Sequence, residues 1–351
     1  MTHITVNFKV YWDALQAYSL DNLFIDSMSL VFANIIQGIE QNIRGGLKIW
    51  GRIMTRMTYF LCVLFFTRVI AGVLPIKPDI HKEIQDDMYF CTAADEKHYP
   101  WLLHLIGSIH NVNFNETNTI AVFDLGFTKQ QRRYLSSIQK VQIFDVERTH
   151  PDILKFFQSR PNPEKKMVRG WYAWKPVVIK QALEKFPYLM YLDSGCVVLK
   201  PLNNLFSYIQ EHGYCLFNNY GKISDHATQY VRNKFKTYLD APNITAGVQG
   251  LSRKAYDPYV LPMYELSKKL KNFQDDGTAP GGFGWARHDQ TLFSILASMN
   301  KFILTDAYKN VLMSTQDKQF FLNVGDSYAP DRHIFWQCQG QLQFSQYIIK
   351  K

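Results

Sequence analysis

Residues 188–202 read Tyr-Leu-Met-Tyr-Leu-Asp-Ser-Gly-Cys-Val-Val-Leu-Lys-Pro-Leu and set one carboxylate, Asp193, between two apolar runs. Runs this rich in Leu, Val, Met and Tyr are typical of strands that are covered on both faces of a sheet. An acid that follows such a strand lies at the carboxyl edge of an open α/β sheet, where ligands bind. The segment therefore predicts a buried strand that delivers Asp193 to a functional site.

The segments before this strand alternate between two hydrophobic periods. Apolar runs at 88–93, 119–125 and 141–144 predict strands, and helical periods separate them, the second opened by a capping box of Thr128 and Gln131. Pro176 opens a third helix that ends near Phe186. We therefore expect an α/β fold, with a mostly parallel sheet and helices on both faces.

The later segments are shorter. The patterns predict helices at 204–210, 256–270 and 292–299, strands at 214–217 and 247–251, and a glycine-rich loop at 280–285.

The most apolar window, residues 57–76, follows several Lys and Arg residues and precedes Asp79, which is the charge order of a signal anchor. Arg68 opposes this interpretation, because an Arg at mid-membrane costs about 2.5–3.5 kcal/mol unless the span shifts and the side chain snorkels. Alternatively, translation starts at Met54 or Met57 and the window is a cleavable signal peptide. A buried core helix is the third alternative.

The first two alternatives place the rest of the chain in the secretory lumen. They predict a tail at 1–56 that is cytosolic or not translated, the anchor or signal peptide at 57–76, a short stem at 77–87, a catalytic domain at 88–340 and a C-terminal tail at 341–351. We expect a single-pass type II protein of the Golgi or ER membrane with a lumenal C-terminus, or alternatively a secreted protein.

Glycosylation and disulfide signals agree with a lumenal location. Sequons begin at Asn115 and Asn243. Four cysteines beyond the apolar window permit one or two disulfides: Cys91, Cys196, Cys215 and Cys338. For Cys91 and Cys196, which lie in strand-like runs, the alternative is a small buried side chain.

Charge and motif content exclude several classes of protein. The formal charge of +9 is spread along the chain, which favours an anionic small ligand over nucleic acid. The sequence has no G-x-G-x-x-G after its first strand, no P-loop, no G-x-S-x-G and no H-E-x-x-H, so dehydrogenase, P-loop, hydrolase and zincin functions lose their main support.

An ordered series of short motifs spans roughly residues 88–305. It consists of Phe90-Cys-Thr-Ala-Ala-Asp95, Val122-Phe-Asp-Leu-Gly126, Trp174-Lys-Pro176, Tyr191-Leu-Asp-Ser-Gly195, Ala246-Gly-Val-Gln-Gly250 and His288-Asp-Gln290. The series resembles the GT-A glycosyltransferases on their glycogenin-like side, and most closely an uncharacterised branch with W-K-P, L-D-x-G, G-x-Q-G and H-x-D-Q-like motifs. The resemblance implies a Rossmann-like hexosyltransferase that uses a nucleotide sugar, with UDP-sugar expected, and a glycan or protein acceptor.

The resemblance also implies roles for particular residues. Thr92, Ala93 and Asp124 would lie near the base and ribose, and Gln249 would join them in binding the donor. Lys175, Asp193 and Asp289 form the predicted catalytic set, with Asp289 near the transferred sugar. Diphosphate charge would be stabilised by Lys175 together with Arg169, Arg287 or His288.

The D-x-D motif of these enzymes, which holds a divalent ion, here reads Asp193-Ser194-Gly195 and lacks its second acid. Two alternatives follow. Mn²⁺ or Mg²⁺ is held by Asp193 and the diphosphate, with His333 as a further ligand. Otherwise the cations named above replace the metal ion.

Simpler interpretations of these residues exist. Asp193 would be a turn residue, Asp289 a helix N-cap and Lys175 a solvated first-turn side chain. The missing acid also leaves open a non-catalytic lumenal protein that binds a sugar or a partner, and a secreted structural glycoprotein is a third alternative.

Overall fold

The computed structural model describes residues 87–161, 163, 165–306, 311–312, 319–320, 322–323, 334–336 and 339–351, all within one compact unit, Glu83–Lys351. The predicted tail at 1–56, the apolar window 57–76, His333 and Cys338 lie outside the described residues. Among the residues that are described, no helix is both long enough and apolar enough to cross a bilayer.

Ten strands precede the C-terminal part of the chain: β1 Met88–Ala94, β2 Thr117–Asp124, β3 Val141–Asp145, β4 Phe156–Gln158, β5 Met167–Arg169, β6 Tyr188–Leu192, β7 Val197–Val198, β8 Tyr214–Lys222, β9 Pro242–Ser252 and β10 Thr305–Asp306. Seven of them form one sheet in the order β10-β8-β9-β6-β1-β2-β3. Neighbours pair in parallel except at β9, which is antiparallel to both β6 and β8. The mostly parallel sheet is as predicted.

Seven α-helices lie within the described residues and accompany the sheet: α1 Tyr99–Asn113, α2 Lys129–Ser136, α3 Trp174–Lys185, α4 Asn203–His212, α5 Gln229–Lys234, α6 Leu261–Ser267 and α7 His288–Met299. Consecutive residues of a strand point to opposite faces. In β1 the ring of Phe90 packs on Phe206 of α4 at 5.3 Å, and the sulfur of Cys91 lies 3.8 Å from the carbonyl oxygen of Val178 in α3. Helices therefore cover both faces, and all seven residues of β1 are buried.

Smaller elements surround this core. The antiparallel hairpin β4–β5 precedes α3. Near the C-terminus lie β11 Val311–Leu312, β12 Gln319–Phe320, β13 Leu322–Asn323 and β14 Phe335–Trp336, and β14 pairs antiparallel with β7.

Several sequence expectations change in detail. The strand predicted at 247–251 is the longer β9, because the run from Asn243 onward is also buried. The helix predicted at 256–270 is a π-turn, α6 and a 3₁₀-turn in succession. Cys91 and Cys215 are buried free thiols. Asn243 is completely buried and donates from Nδ2 to the Lys222 carbonyl at 2.8 Å, so its sequon has no room for a glycan in this fold.

A strained turn links β5 to α3. Gly170, Trp171 and Tyr172 all have positive φ, at 51°, 53° and 64°. Two bulky residues in this region are unusual, because a side chain there crowds its own backbone. Such strain costs about 1–3 kcal/mol per residue and persists only where the surrounding packing imposes it. Here Trp171 is 6% exposed and stacks on Phe157 at 5.4 Å.

Gly170→Ala is expected to lower the free energy of unfolding by about 3 kcal/mol or more. A methyl group there would combine positive φ with overlap on the carbonyl oxygen of Ile153. Gly282→Ala is the control, because Gly282 has φ of +80° but no described atom within 4 Å of the added carbon. It should cost only about 1 kcal/mol. Equal losses in urea unfolding would show that the overlap with Ile153 contributes nothing.

The C-terminal residues 339–351 run along α1 and are held by two histidines. Nδ1 of His104 accepts from the backbone N–H groups of Phe344 at 3.1 Å and Ser345 at 3.3 Å, and Nδ1 of His110 accepts from that of Ile349 at 3.1 Å. Both nitrogens must be unprotonated to accept these bonds. Burial lowers the pKa of His104, and it lowers the pKa of His110 from 6.5 to about 4.

The stability of the protein should therefore fall in mild acid. The unfolded chain binds a proton at His110 near pH 6.5, whereas the folded chain resists it down to about pH 4. The contribution of unprotonated His110 to the free energy of unfolding is complete above pH 6.5 and is lost as the pH falls toward 4. About 2 kcal/mol of the free energy of unfolding is lost between pH 7.5 and 5. His110→Gln should flatten the pH profile of urea unfolding, whereas His212→Gln, at an exposed site, should leave it unchanged. An unaltered slope in His110→Gln would exclude His110 as its source.

Candidate functional site

A cleft of about 620 Å³ opens at the carboxyl ends of β1 and β6. Its floor includes Ala93 and Ala94 at the end of β1 and Asp193 just beyond β6, and the hairpin β4–β5 forms one wall. Aromatic side chains complete the lining, namely Trp101, Phe156, Tyr172 and Trp174. The volume is within the range of small-molecule sites. The position is the one predicted for Asp193.

Lys175 connects two aspartates beneath the cleft. Its Nζ lies 2.7 Å from Oδ2 of Asp289 and 3.1 Å from Oδ1 of Asp193. The hydroxyl of Tyr191 donates to the same Oδ1 of Asp193 at 2.7 Å. The Lys175 and Asp289 side chains are 4% and 7% exposed, whereas that of Asp193 is 42% exposed. Asp193 is thus the member of this cluster that faces the cleft.

The charges of the cluster depend on one another. Burial alone would lower the pKa of Lys175, but the carboxylates of Asp193 and Asp289 outweigh it and raise that pKa. Burial raises the pKa of Asp289, and Lys175 opposes the rise. Lys175 therefore remains protonated at neutral pH, and its ammonium favours the charged form of the Asp289 carboxylate. Desolvating a buried ion pair of this kind costs several kcal/mol, which offsets much of the attraction between the charges. Stability alone therefore does not explain why the pair is buried here.

Two helix starts bring the cluster together. Lys175 is the second residue of α3 and Asp289 the second residue of α7. An acid is favourable near a helix N-terminus, whereas a lysine there interacts unfavourably with the helix dipole. The ion pairs of Lys175 with Asp193 and Asp289 offset this unfavourable interaction. His288 has φ of 42°, and its ring packs at a tilt against Trp171 with the ring centroids 5.2 Å apart, which joins the two helix starts. The simpler interpretations of Lys175 as solvated and of Asp289 as an N-cap are therefore wrong.

Much of the remaining lining of the cleft is cationic. It includes five Lys and Arg residues: Lys97, Arg160, Lys165, Lys166 and Arg169. Arg169 also donates from Nε to Asp95 at 2.9 Å, and His98 contacts the other oxygen of Asp95 at 2.7 Å. Burial alone would raise the pKa of Asp95, but these hydrogen bonds lower it below its usual range. The cleft thus joins one exposed carboxylate to an excess of cations.

The structure brings most of the predicted residues to this region. Ala93, Arg169 and Asp193 line the cleft, and Lys175 and Asp289 lie beneath it. His288 is the first residue of α7, and its Nδ1 lies 2.8 Å from the Phe273 carbonyl oxygen. Burial lowers the pKa of His288.

Other predicted residues do not line the cleft. Thr92 is buried within β1. Asp124 accepts from the backbone N–H groups of Gly126 and Phe127, both at 2.7 Å, and from Arg132 at 2.6 Å. Gln249 is buried in β9, where its amide donates to the Ala246 carbonyl and accepts from the Tyr259 hydroxyl. Arg287 is exposed at the start of α7.

Sequence reasoning missed much of the cationic side. Lys97, Arg160, Lys165 and Lys166 lie in loops with no recognisable motif. For Arg160, Lys165 and Lys166 the available signal was the density of positive charge at residues 160–169, whereas Lys97 had no such signal. Gln339 also reaches the lining, because its backbone N–H donates to the Gly195 carbonyl at 3.0 Å.

The described residues do not fit a divalent cation. Two carboxylates line the cleft, and Asp95 is already engaged by His98 and Arg169. Both oxygens of Asp193 lie within 3.4 Å of the Lys175 ammonium, which would repel a metal ion. No group of three or more His, Cys, Asp and Glu side chains is arranged for metal binding in the part of the chain that is described. The second predicted ligand, His333, lies outside it.

Fold and cleft together define an α/β protein whose ligand site lies at the carboxyl edge of a mostly parallel sheet. No protein-family model matches the chain, and no curated protein matches it significantly. Solved structures of glycosyltransferases do match.

The galactosyltransferase LgtC, in complex with donor and acceptor sugar analogues, has 16% sequence identity and a TM-score of 0.42 over 60% of this chain and 70% of its own. Core-mannan synthase A from Aspergillus fumigatus, in a Mn/GDP form, has 12% identity and a TM-score of 0.45 over 65% and 72%. Mouse xyloside xylosyltransferase 1 has 13% identity and a TM-score of 0.39 over 63% and 84%. These TM-scores are below 0.5, so the similarity carries no conclusion about the function of this chain.

Proposed function

We propose that this protein is a glycosyltransferase that takes a hexose from a nucleotide sugar, most simply a UDP-sugar, and transfers it to a hydroxyl of a glycan or protein. One observation carries the proposal: the same cleft is lined by the Asp193 carboxylate and by a group of cations. An ionised carboxylate accepts hydrogen bonds, which suits hydroxyl groups, whereas Lys and Arg suit phosphate oxygens. A nucleotide sugar carries both kinds of group.

The aromatic lining supports the same class of ligand. Trp101 and Trp174 offer ring surfaces to a planar base or to the apolar face of a sugar. The mixture of aromatic, carboxylate and cationic side chains is less suited to a purely apolar or a purely anionic ligand. The motif series that predicted this site gives independent sequence support.

The transfer step uses the charges as follows. The bond between the anomeric carbon and the diphosphate oxygen breaks, and its electron pair leaves with the nucleoside diphosphate. The acceptor oxygen forms the new bond to that carbon, and its proton passes to the leaving phosphate or to solvent. Asp193 orients the donor hydroxyls. Lys175, protonated by virtue of Asp193 and Asp289, stabilises the negative charge that develops on the leaving group.

The location of the protein in the cell belongs to the same proposal. We propose a Golgi or ER protein anchored through residues 57–76 with the cleft on the lumenal side, a secreted form being the alternative. The exposed Asn115 leaves one of the two sequons accessible for a glycan.

The proposal is tested by incubating the full-chain protein with a panel of UDP- and GDP-sugars and measuring release of the nucleoside diphosphate with and without acceptor sugars. Release that depends on one donor and rises with an acceptor supports the transferase. Saturable donor binding without release would instead support the non-catalytic sugar-binding alternative. If no donor binds, both are excluded.

A further inference from the structure

We propose that the cations around the β4–β5 loop, rather than a divalent metal ion, hold the diphosphate of the donor in this cleft. The inference rests on the proposed function, because it takes the ligand to be a nucleotide sugar. It concerns a defined group of residues, the diphosphate clamp, which consists of Lys165 and Lys166 on the loop and Lys97 beside β1.

The clamp has free positive charge directed at the cleft. Lys97, Lys165 and Lys166 all line it, and none of the three forms an ion pair with any described carboxylate. Both loop lysines are exposed, so their charges are available to a ligand. Phosphate oxygens accept charge-assisted hydrogen bonds from such ammonium groups.

The clamp cations also lie close enough to repel one another. Desolvation lowers the pKa of Lys166, and the nearby charges of Arg160, Arg287 and Lys97 lower it further, whereas the Asp193 carboxylate opposes them. Like charges gathered in one place destabilise a protein unless an opposite charge joins them. Binding of a diphosphate, with its two or three negative charges, would relieve this repulsion.

The loop that carries the clamp is held in place. The backbone N–H of Ser159 donates to the Lys166 carbonyl at 2.8 Å, and that of Lys165 donates to the Pro161 carbonyl at 3.0 Å. On its other side the loop packs against Gly284, where an added Cβ would lie 3.0 Å from the Pro161 ring. The charges are thus arranged before a ligand arrives, which lowers the entropy lost on binding.

The metal alternative lacks a matching donor set among the described residues. Mn²⁺ and Mg²⁺ are bound by oxygen ligands, chiefly carboxylates and phosphates. Asp193 shares its oxygens with Lys175 and Tyr191, and the third position of the motif is Gly195. The charge that a metal ion would supply to the diphosphate is already present on the clamp.

The experiment measures the Kd of UDP and GDP for the full-chain protein by calorimetry, in EDTA and in Mn²⁺. We expect the nucleotide that binds to do so in EDTA within about threefold of its Kd in Mn²⁺, and to bind more weakly as salt rises. The double variant Lys165→Gln/Lys166→Gln should raise Kd in EDTA about tenfold or more. Lys236→Gln, which removes an exposed lysine in another part of the fold, should leave Kd unchanged.

The outcomes separate this inference from the proposed function. Binding that requires Mn²⁺ overturns the clamp and leaves the transferase intact. Binding in EDTA that the double variant does not weaken also overturns the clamp, because the charge then comes from other residues. Failure of both nucleotides to bind under either condition overturns the proposed function itself, and the inference with it.

Discussion

Lys175→Met is expected to abolish nucleotide-sugar turnover and to lower the free energy of unfolding at pH 7.5 by about 3–5 kcal/mol. The substitution keeps an unbranched side chain, one atom shorter, but removes the cation that lies 2.7 Å from Asp289. Asp289 is 5% exposed and would be left as a buried, unpaired carboxylate. We therefore expect this single change to produce the largest combined loss of stability and activity in the molecule.

The dependence of this loss on pH distinguishes an unpaired charge from poor packing. Burial already raises the pKa of Asp289, and removal of Lys175 raises it further. The folded variant then binds a proton that the unfolded chain releases above about pH 4, so its stability improves as the pH falls from 7.5 toward 5. The deficit relative to the unmodified protein should narrow over this range in urea unfolding. A deficit that is constant with pH would contradict the electrostatic explanation.

Lys180→Met is the matched control on the same helix. Lys180 pairs with Glu184 at 2.7 Å, but the Glu184 side chain is 46% exposed, so water screens the charge that remains. Exposed pairs of this kind contribute about 0–1 kcal/mol. The control should therefore change stability by no more than about that amount and leave turnover intact.

Asp193→Asn is expected to lower turnover about a hundredfold or more while changing the free energy of unfolding by less than about 1 kcal/mol. The side chain is 42% exposed, and an amide oxygen could still accept from the Tyr191 hydroxyl. Lys175 would keep its partner Asp289. The variant thus removes the carboxylate charge that faces the cleft but leaves the Lys175–Asp289 ion pair beneath it in place.

Asp145→Asn provides the comparison for Asp193. Asp145 ends β3, the edge strand of the same sheet, and its side chain is 82% exposed and pairs with Arg132 at 2.8 Å. Both turnover and stability should stay close to those of the unmodified protein. If Asp193→Asn retains normal turnover in a protein with a normal melting temperature, Asp193 has no part in the reaction.

The core of the sheet could be predicted because its signals are local. The apolar runs of β1, β2 and β6 are buried on both faces, and the Thr128 capping box at the start of α2 is present as expected. Asp193 was also found from sequence, because a single acid after an apolar strand is conspicuous. The hairpin β4–β5 was missed because each of its strands is three residues long and has no clear period.

The contacts that complete the site depend on long-range folding. Lys175 and Asp289 are separated by more than a hundred residues, and no local pattern shows that the starts of α3 and α7 meet. Gln249 belongs to one of the predicted motifs, but its amide group is hydrogen-bonded to the Ala246 carbonyl and the Tyr259 hydroxyl in the core. The sequence therefore predicted the types of residue at the cleft better than it predicted which individual residues line it.

The bond between Gln339 and Gly195 has a consequence for synthesis of the chain. Gly195 follows the floor of the cleft, whereas Gln339, which lines the cleft beside it, leaves the ribosome more than a hundred residues later. The α3–β6 region can form while the remainder is still being made, because domains begin to fold from the part already synthesised. A nascent chain would therefore carry Lys175 without Asp289 and a cleft with an incomplete wall. Ligand binding in the cleft should begin only after Gln339 has been synthesised, so a ligand of the cleft would report this late step of folding.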